Sequence, residues 1–504
     1  MAPHVTDVLE KPGSPTKSVA RGGLANMAGS ALAGGTGVAV TWIVARSLGA
    51  EQAGAFFAAT AAFVLGGGLA KLGTQTGLVY WPARLRATGR THLLGACLRT
   101  GLLPVAAVSV LLAVVMWLTA PAIARTTAHE AAAVVGAHTA ALRVLAVFLP
   151  LQALTDALLT ATRGYRAMRP TVLLDRILRS TLQLLLVAGV GIVALSLPWF
   201  AFAWAGPYLV VTVLAAYALK KVYAAGRPAG ATTHRAERRA LRRDFWKFTG
   251  PRALASVAQL ALQRVDVLLV AALGGLAPAA VYAVAGRFVV LVQFANQGIS
   301  QSVQPRLAEA LAVGDRRAAN HLYQTATGWL VLVTWPICLL VAHLAGYYLR
   351  FFGDGYEAGR NVVVVLAGAM LVATGCGMVD MVLAMAGRTS WNLANVLIAL
   401  TVTIGLDLLL IPRFGALGAA AGLACAMVAN NLLPLIQVGR AVGVHPFGRG
   451  TRAAALLSLA CFGVLPFAGL AGLLLSVPAF LAGVWLLRRR LALDAFKPRT
   501  PANP

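Results

Sequence analysis

The sequence predicts an all-α integral membrane protein of about fourteen helices, arranged as two six-helix lobes and a C-terminal helix pair. Three observations carry this. Of the 504 residues, 59% are hydrophobic and 12% charged, against about 25% charged in soluble domains. Long apolar runs recur along the chain, each close to the roughly 20 residues a bilayer-crossing helix needs. The second half also repeats the first. With Gly49 laid on Gly275, Phe56 falls on Tyr282 and Thr74-Gln75-Thr76 on Ser300-Gln301-Ser302.

The apolar spans fall near 24–45, 54–80, 100–120, 139–161, 172–195 and 199–219 in the first half. In the second they fall near 249–273, 279–304, 325–348, 361–386, 391–411 and 415–438. A last run, 453–487, is too long for one helix and is interrupted by Pro466, Gly469 and Gly472, so it reads as two. The domains are then a disordered tail (1–23), a first lobe (24–222), a basic linker (223–247), a second lobe (248–441), a helix pair (442–490) and a second tail (491–504). The segment 121–138 is the longest loop on the side opposite the linker.

Charge supports an even number of crossings. The formal net charge is +27, and the basic residues concentrate in alternate connections: Arg84, Arg86 and Arg90; Arg163, Arg166 and Arg169; the linker; Arg488-Arg489-Arg490. Because Lys and Arg favour cytoplasmic loops, both termini are expected inside the plasma membrane of a bacterium. Six helices before the linker start both lobes on the same side, as a parallel repeat about an axis normal to the membrane. The stretch from Arg235 to Lys247 reads either as an amphipathic surface helix on an anionic leaflet or as a solvated linker. Nucleic-acid binding is not indicated, since that needs a basic, aromatic-bearing soluble face. The five cysteines stand singly and suggest neither disulfides nor a metal site. No phosphate loop, HExxH, CxxC or GxSxG motif is present, so neither enzyme, metal nor cofactor is indicated.

The informative residues are charges at membrane depth, which are costly unless they face a bundle interior or water. The hairpin from Arg252 to Arg306 carries Arg264, Asp266 and Arg287 within its apolar arms. Asp266 and Arg287 lie at similar depth on either side of its turn, so an ion pair between them is expected and Arg264 is left without a partner. Lys71 sits deep in the second span. Arg143 and Asp156 lie near opposite ends of the fourth on different faces, and Asp175 and Arg179 are spaced to pair locally. Asp380 and Asp407, near span ends, are expected to be exposed or capped. An Arg fork holds a phosphate through two parallel hydrogen bonds. A cavity lined by Lys71, Arg252, Arg264 and Arg287 would suit an anionic headgroup, with Asp266, Asp156 and Arg143 as ion-pair or coupling candidates.

Several short motifs add a resemblance: Asn26-x-x-Gly29, Ala45-Arg46-Ser47-Leu48-Gly49 and Gly54-Ala55-Phe56, then Gln263-x-x-Asp266, Leu273-Gly274 and Ala280-Val281-Tyr282. The run from Asp407 through Pro412 and Gly415 to Gly418 completes them. Over roughly 20–440 the chain resembles the oligosaccharide flippases of the polysaccharide transporter family, Wzx-like members of the MOP superfamily with MATE exporters and lipid II flippases. Lipid II flippases carry cavity arginines in their first helix, and none stands here between Asn26 and Arg46. The resemblance implies transfer of an undecaprenyl-diphosphate-linked oligosaccharide from the inner to the outer leaflet by alternating access, for cell-surface polysaccharide synthesis. It also implies contact with membrane lipids and with the polymerase or glycosyltransferases of that pathway. A MATE-type drug or metabolite exporter driven by H+ or Na+, a lipid II flippase and a non-transporting scaffold are the other readings.

Overall fold

The computed structural model describes residues 15–127, 132–225 and 234–491, and every regular element among them is helical. The first, α1 (Pro15–Ala70), doubles back at Gly49, where φ is 72° and ψ 173°. It therefore crosses twice, the return being completed by α2 (Thr74–Ala87) after a break at Lys71, Leu72 and Gly73. The first lobe continues with α3 (Leu94–Thr127), α4 (Ala132–Gly164), a π-helical stretch (Thr171–Arg179) running into α5 (Ser180–Ile192), then α6 (Leu197–Ala205) and α7 (Pro207–Ala225).

The second lobe opens with α8 (Arg235–Leu273), α9 (Leu276–Ala285) and α10 (Phe288–Ala312). It continues through α11 (Arg316–His343), α12 (Ala345–Arg350), α13 (Arg360–Gly375) and α14 (Val379–Met385) to α15 (Thr389–Phe414) and α16 (Ala416–Ala441). The helix pair follows as α17 (Arg449–Ser458) with its irregular extension to Ala468, and α18 (Leu470–Leu487), reversing at Gly469. Twelve helices among the described residues are long and apolar enough to span a membrane. One of them contains the Gly49 reversal, and Thr171–Ile192 supplies a further crossing between α4 and α6.

The sequence repeat is visible in the backbone. Gly275, the counterpart of Gly49, has φ 94° and ψ 174°, nearly the same rare conformation, which is essentially closed to side-chain-bearing residues. Each reversal brings its helices together with no intervening loop. Gly275→Ala is expected to cost about 1–3 kcal/mol, readable as a lowered unfolding temperature in detergent; an unchanged temperature would show that this backbone carries no strain.

Burial is uneven along the membrane axis. One core joins the lobes: Val44, Phe56 and Phe63 from α1 pack in the same cluster as Leu276, Tyr282 and Phe288 from α9 and α10. A Cβ on Gly54 would sit 1.8 Å from the Leu276 carbonyl oxygen, so the two backbones touch. Trp42 Nε1 donates to the Phe351 carbonyl at 2.7 Å, and the two rings stack at 5.5 Å. The Tyr356 hydroxyl reaches the Ala45 carbonyl at 3.4 Å. At the opposite end, which carries the linker helix, the lobes keep separate cores, one around Leu78, Leu94 and Phe245 and the other around Leu307, Tyr323 and Val382. The bundle is thus closed at one end and divided at the basic end.

Three expectations change. The first helix already begins at Pro15, inside the stretch read as a tail; 1–14 and 492–504 lie outside the described residues. The segment 121–138 is mostly helix, since α3 runs to Thr127 and α4 starts at Ala132, with 128–131 outside the described residues. The linker stretch from Arg235 is helical, but it does not stop at Lys247. It passes Gly250 and Pro251 and becomes the membrane helix itself. Leu241 and Phe245 are buried against the first lobe, and that apolar contact holds the helix in register through the proline. Residues 226–233 of the linker lie outside the described residues.

Candidate functional site

In the second lobe, α8 places Gln263, Arg264 and Asp266 on the wall of a cavity of about 300 Å³. Tyr282 of α9 and Gln293 of α10 face the same space, and Leu366, Leu423 and Met427 close it with apolar surface. Arg287 stands where the helix breaks between α9 and α10. The break turns its guanidinium toward the other lobe, 5.7 Å over the Phe57 ring. Among the described residues neither Arg264 nor Arg287 makes an ion pair or hydrogen bond, and the Nε of each is buried without a partner. Two guanidiniums that make no direct ion pair or hydrogen bond beside this cavity suit an anion, because a phosphate would supply the hydrogen bonds they lack.

The expected Asp266–Arg287 pair does not form. Asp266 is buried and accepts hydrogen bonds from the Tyr282 hydroxyl and, at 2.8 Å, from the Val267 amide. Tyr282 occupies the α9 position nearest the carboxylate, while Arg287 lies beyond the helix break and faces Phe57.

Asp407 reverses its expectation more sharply. It is wholly buried on α15, and both carboxylate oxygens lack partners among the described residues. A Cβ on Gly422 of α16 would lie 2.3 Å from Asp407 Oδ1, so the carboxylate fills a slot left by that glycine. The signal available in the sequence was the Gly418 and Gly422 spacing of one helical turn, which marks a close helix contact. Asp380 is exposed, as expected.

Lys71 and Arg252 do not join this cavity. Lys71 Nζ is 2.7 Å from Asp156 Oδ2, within the first lobe, with both side chains largely buried. Its position at the break after α1 lets it reach α4, a contact no spacing along one helix reveals. Arg252 is exposed near the basic end, donates to the Phe248 carbonyl at 2.9 Å and lies 4.0 Å over the Phe248 ring. Arg143 lies 5.6 Å over Trp117, away from Asp156. Arg179 pairs with Asp175 at 2.7 Å, as their spacing suggests, and lies 5.2 Å over Tyr208. The first lobe thus neutralises its deep acids, whereas the second leaves two arginines open.

The Lys71–Asp156 pair carries a stability prediction. Removing one partner strands the other charge at depth, so Lys71→Ala alone should lose about 1–3 kcal/mol. The charge-swapped double variant Lys71→Asp/Asp156→Lys should recover most of the loss in a thermal unfolding assay; equal losses in both would show that the pair is not coupled.

Two lobes sharing a core at one end, with a polar cavity between membrane-spanning helices, form an arrangement also found in solved structures of lipid II flippase and MATE transporters. The structure superposes on the lipid II flippase MurJ in an inward closed conformation, with a TM-score of 0.72 at 13% identity, covering 94% of this chain and 100% of that one. It matches a multidrug resistance MATE family transporter in an inward-facing conformation with a TM-score of 0.65 at 14% identity, over 83% and 94% of the two chains. A MOP superfamily transporter from Pyrococcus furiosus, described as having a binding pocket of reverse polarity, matches with a TM-score of 0.56 at 15% identity, over 86% and 96%. Residues 251–410 match the MatE family model. No curated protein matches the chain.

Proposed function

We propose that the chain is a flippase that carries a polyprenyl-diphosphate-linked oligosaccharide from the inner to the outer leaflet by alternating access. The observation that carries this reading is the unpartnered pair Arg264 and Arg287 on a cavity of about 300 Å³. A diphosphate needs cationic hydrogen-bond donors to leave water, whereas its prenyl tail can stay in lipid. The cavity has room for the diphosphate; the sugars would extend between the lobes toward the basic end. The excess of Lys and Arg at that end makes it the cytoplasmic one, so the conformation described is closed to the outside. The missing arginines in the first helix favour a surface oligosaccharide over lipid II.

A second reading has its own observation. Asp266 and Asp407 are two buried acids on neighbouring helices of the second lobe, a set that suits a cation-driven exporter. Under the flippase reading they would couple transport to an ion. The test is expression in a bacterial strain lacking its oligosaccharide flippase, scoring lipid-linked sugar on the outer leaflet and resistance to cationic dyes. Restored sugar without dye resistance is the expected result. Dye resistance without sugar would replace the flippase by an exporter.

A further inference from the structure

A second polar site lies outside the lobes' cavity, where α2 meets the first turns of α8. Tyr80, Trp81 and Arg84 from α2 and Asp244, Lys247 and Phe248 from α8 line an open pocket of about 330 Å³. Its aromatic rings form a stack: Tyr80 lies on Phe248 with centroids 4.4 Å apart and planes within 18°. Arg252 caps the far face of this stack at 4.0 Å from the Phe248 ring. On the near side, Arg84 donates to the Tyr80 hydroxyl at 2.9 Å and sits 5.4 Å over Trp81.

Two features leave polar groups at this pocket short of partners. Trp81 is only 8% exposed, and its indole Nε1 is buried with no hydrogen-bond partner among the described residues, which costs free energy unless an acceptor arrives. Arg84 and Lys247 bring two cations to one rim and are paired with no acid among the described residues. Aromatic rings beside basic side chains are the usual furniture of a membrane interface. The same end of α8 also presents Arg238, Arg239, Arg242 and Arg243 to the surroundings, and a basic helix of this kind is drawn to anionic lipid.

We propose that this pocket binds the phosphate headgroup of an anionic membrane phospholipid, held by Arg84 and Lys247 with the Tyr80 and Trp81 rings at the headgroup level. Asp244 at the rim disfavours a second negative charge and suits a headgroup with hydroxyls beyond its single phosphodiester. A lipid seated there ties α2, which belongs to the first lobe, to the base of α8, which runs on into the second. The site does not depend on what the chain transports.

The test is native mass spectrometry of the full chain released from nanodiscs of phosphatidylcholine with or without phosphatidylglycerol. Phosphatidylglycerol should be retained in preference to phosphatidylcholine, and Arg84→Gln/Lys247→Gln should cut that retention about tenfold. Both side chains are exposed, so the variant is expected to fold, which its unfolding temperature checks. The control Arg238→Gln/Arg239→Gln removes the same charge from the same end outside the pocket and should lower retention by no more than about twofold, the share of diffuse attraction. Equal losses in the two variants would reduce the effect to diffuse attraction and overturn the site. Equal retention of the two lipids, or displacement of the lipid by millimolar inorganic phosphate, would overturn the choice of ligand.

Discussion

Arg264→Ala and Arg287→Ala are each expected to lower delivery of lipid-linked sugar to the outer leaflet by about tenfold to a hundredfold, and the double variant to abolish it. A hydrogen bond to a charged group contributes about 1.5–3 kcal/mol, and each 1.4 kcal/mol corresponds to a factor of ten in affinity. Both guanidiniums line the cavity and neither makes a hydrogen bond or direct ion pair among the described residues, so substitution removes ligand contacts without breaking such a bond. The variants should therefore fold and unfold near the wild-type temperature, unlike Lys71→Ala, whose partner is an acid 2.7 Å away. Arg264→Lys keeps the charge but loses the fork and should fall between wild type and Ala. Full delivery by both single Ala variants would remove the anion site and the flippase reading that rests on it.

Gly54→Ala should have the second large effect. The new methyl carbon would lie 1.8 Å from the Leu276 oxygen and 2.5 Å from its carbonyl carbon. Non-bonded carbons need about 3.5 Å, and the obstacle is backbone, so the lobes must part by about 1–2 Å at the closed end. Spin labels at Glu51 and Asp354, both exposed on either side of that seam, report the opening. The labelling background needs Cys425 replaced, because the other four cysteines are buried. The distance should lengthen, with accumulation of outward-open states and loss of transport. Gly35→Ala, where a Cβ meets nothing within 4 Å, should leave the distance unchanged. An unaltered distance in Gly54→Ala would mean that this contact does not set the closure.

Part of the candidate site, Arg264 and Arg287, was legible before any coordinates, though not its pairing. Arg264 could be singled out as a deep charge left over once Asp266 is assigned to Arg287; that pair does not form, yet Arg264 lines the cavity without a direct ion pair. Asp175 and Arg179 could be paired because one helical turn separates them. The partnership of Lys71 with Asp156 could not, because it depends on how two helices far apart in sequence are rotated about their own axes. Asp407 illustrates the same limit. Its position near a helix end suggested solvent, and only the packing of α15 against the glycines of α16 encloses it.

The sequence by itself determined the membrane class, the crossings, the asymmetry of charge between the two ends and the repeat centred on Gly49 and Gly275. All of these follow from local composition, helix length and backbone stereochemistry. Only the tertiary structure decided which deep charges neutralise one another and which are left facing a cavity. Hydropathy sets the depth of a side chain in the membrane, but its azimuth is set by ridges and glycine notches contributed by distant helices.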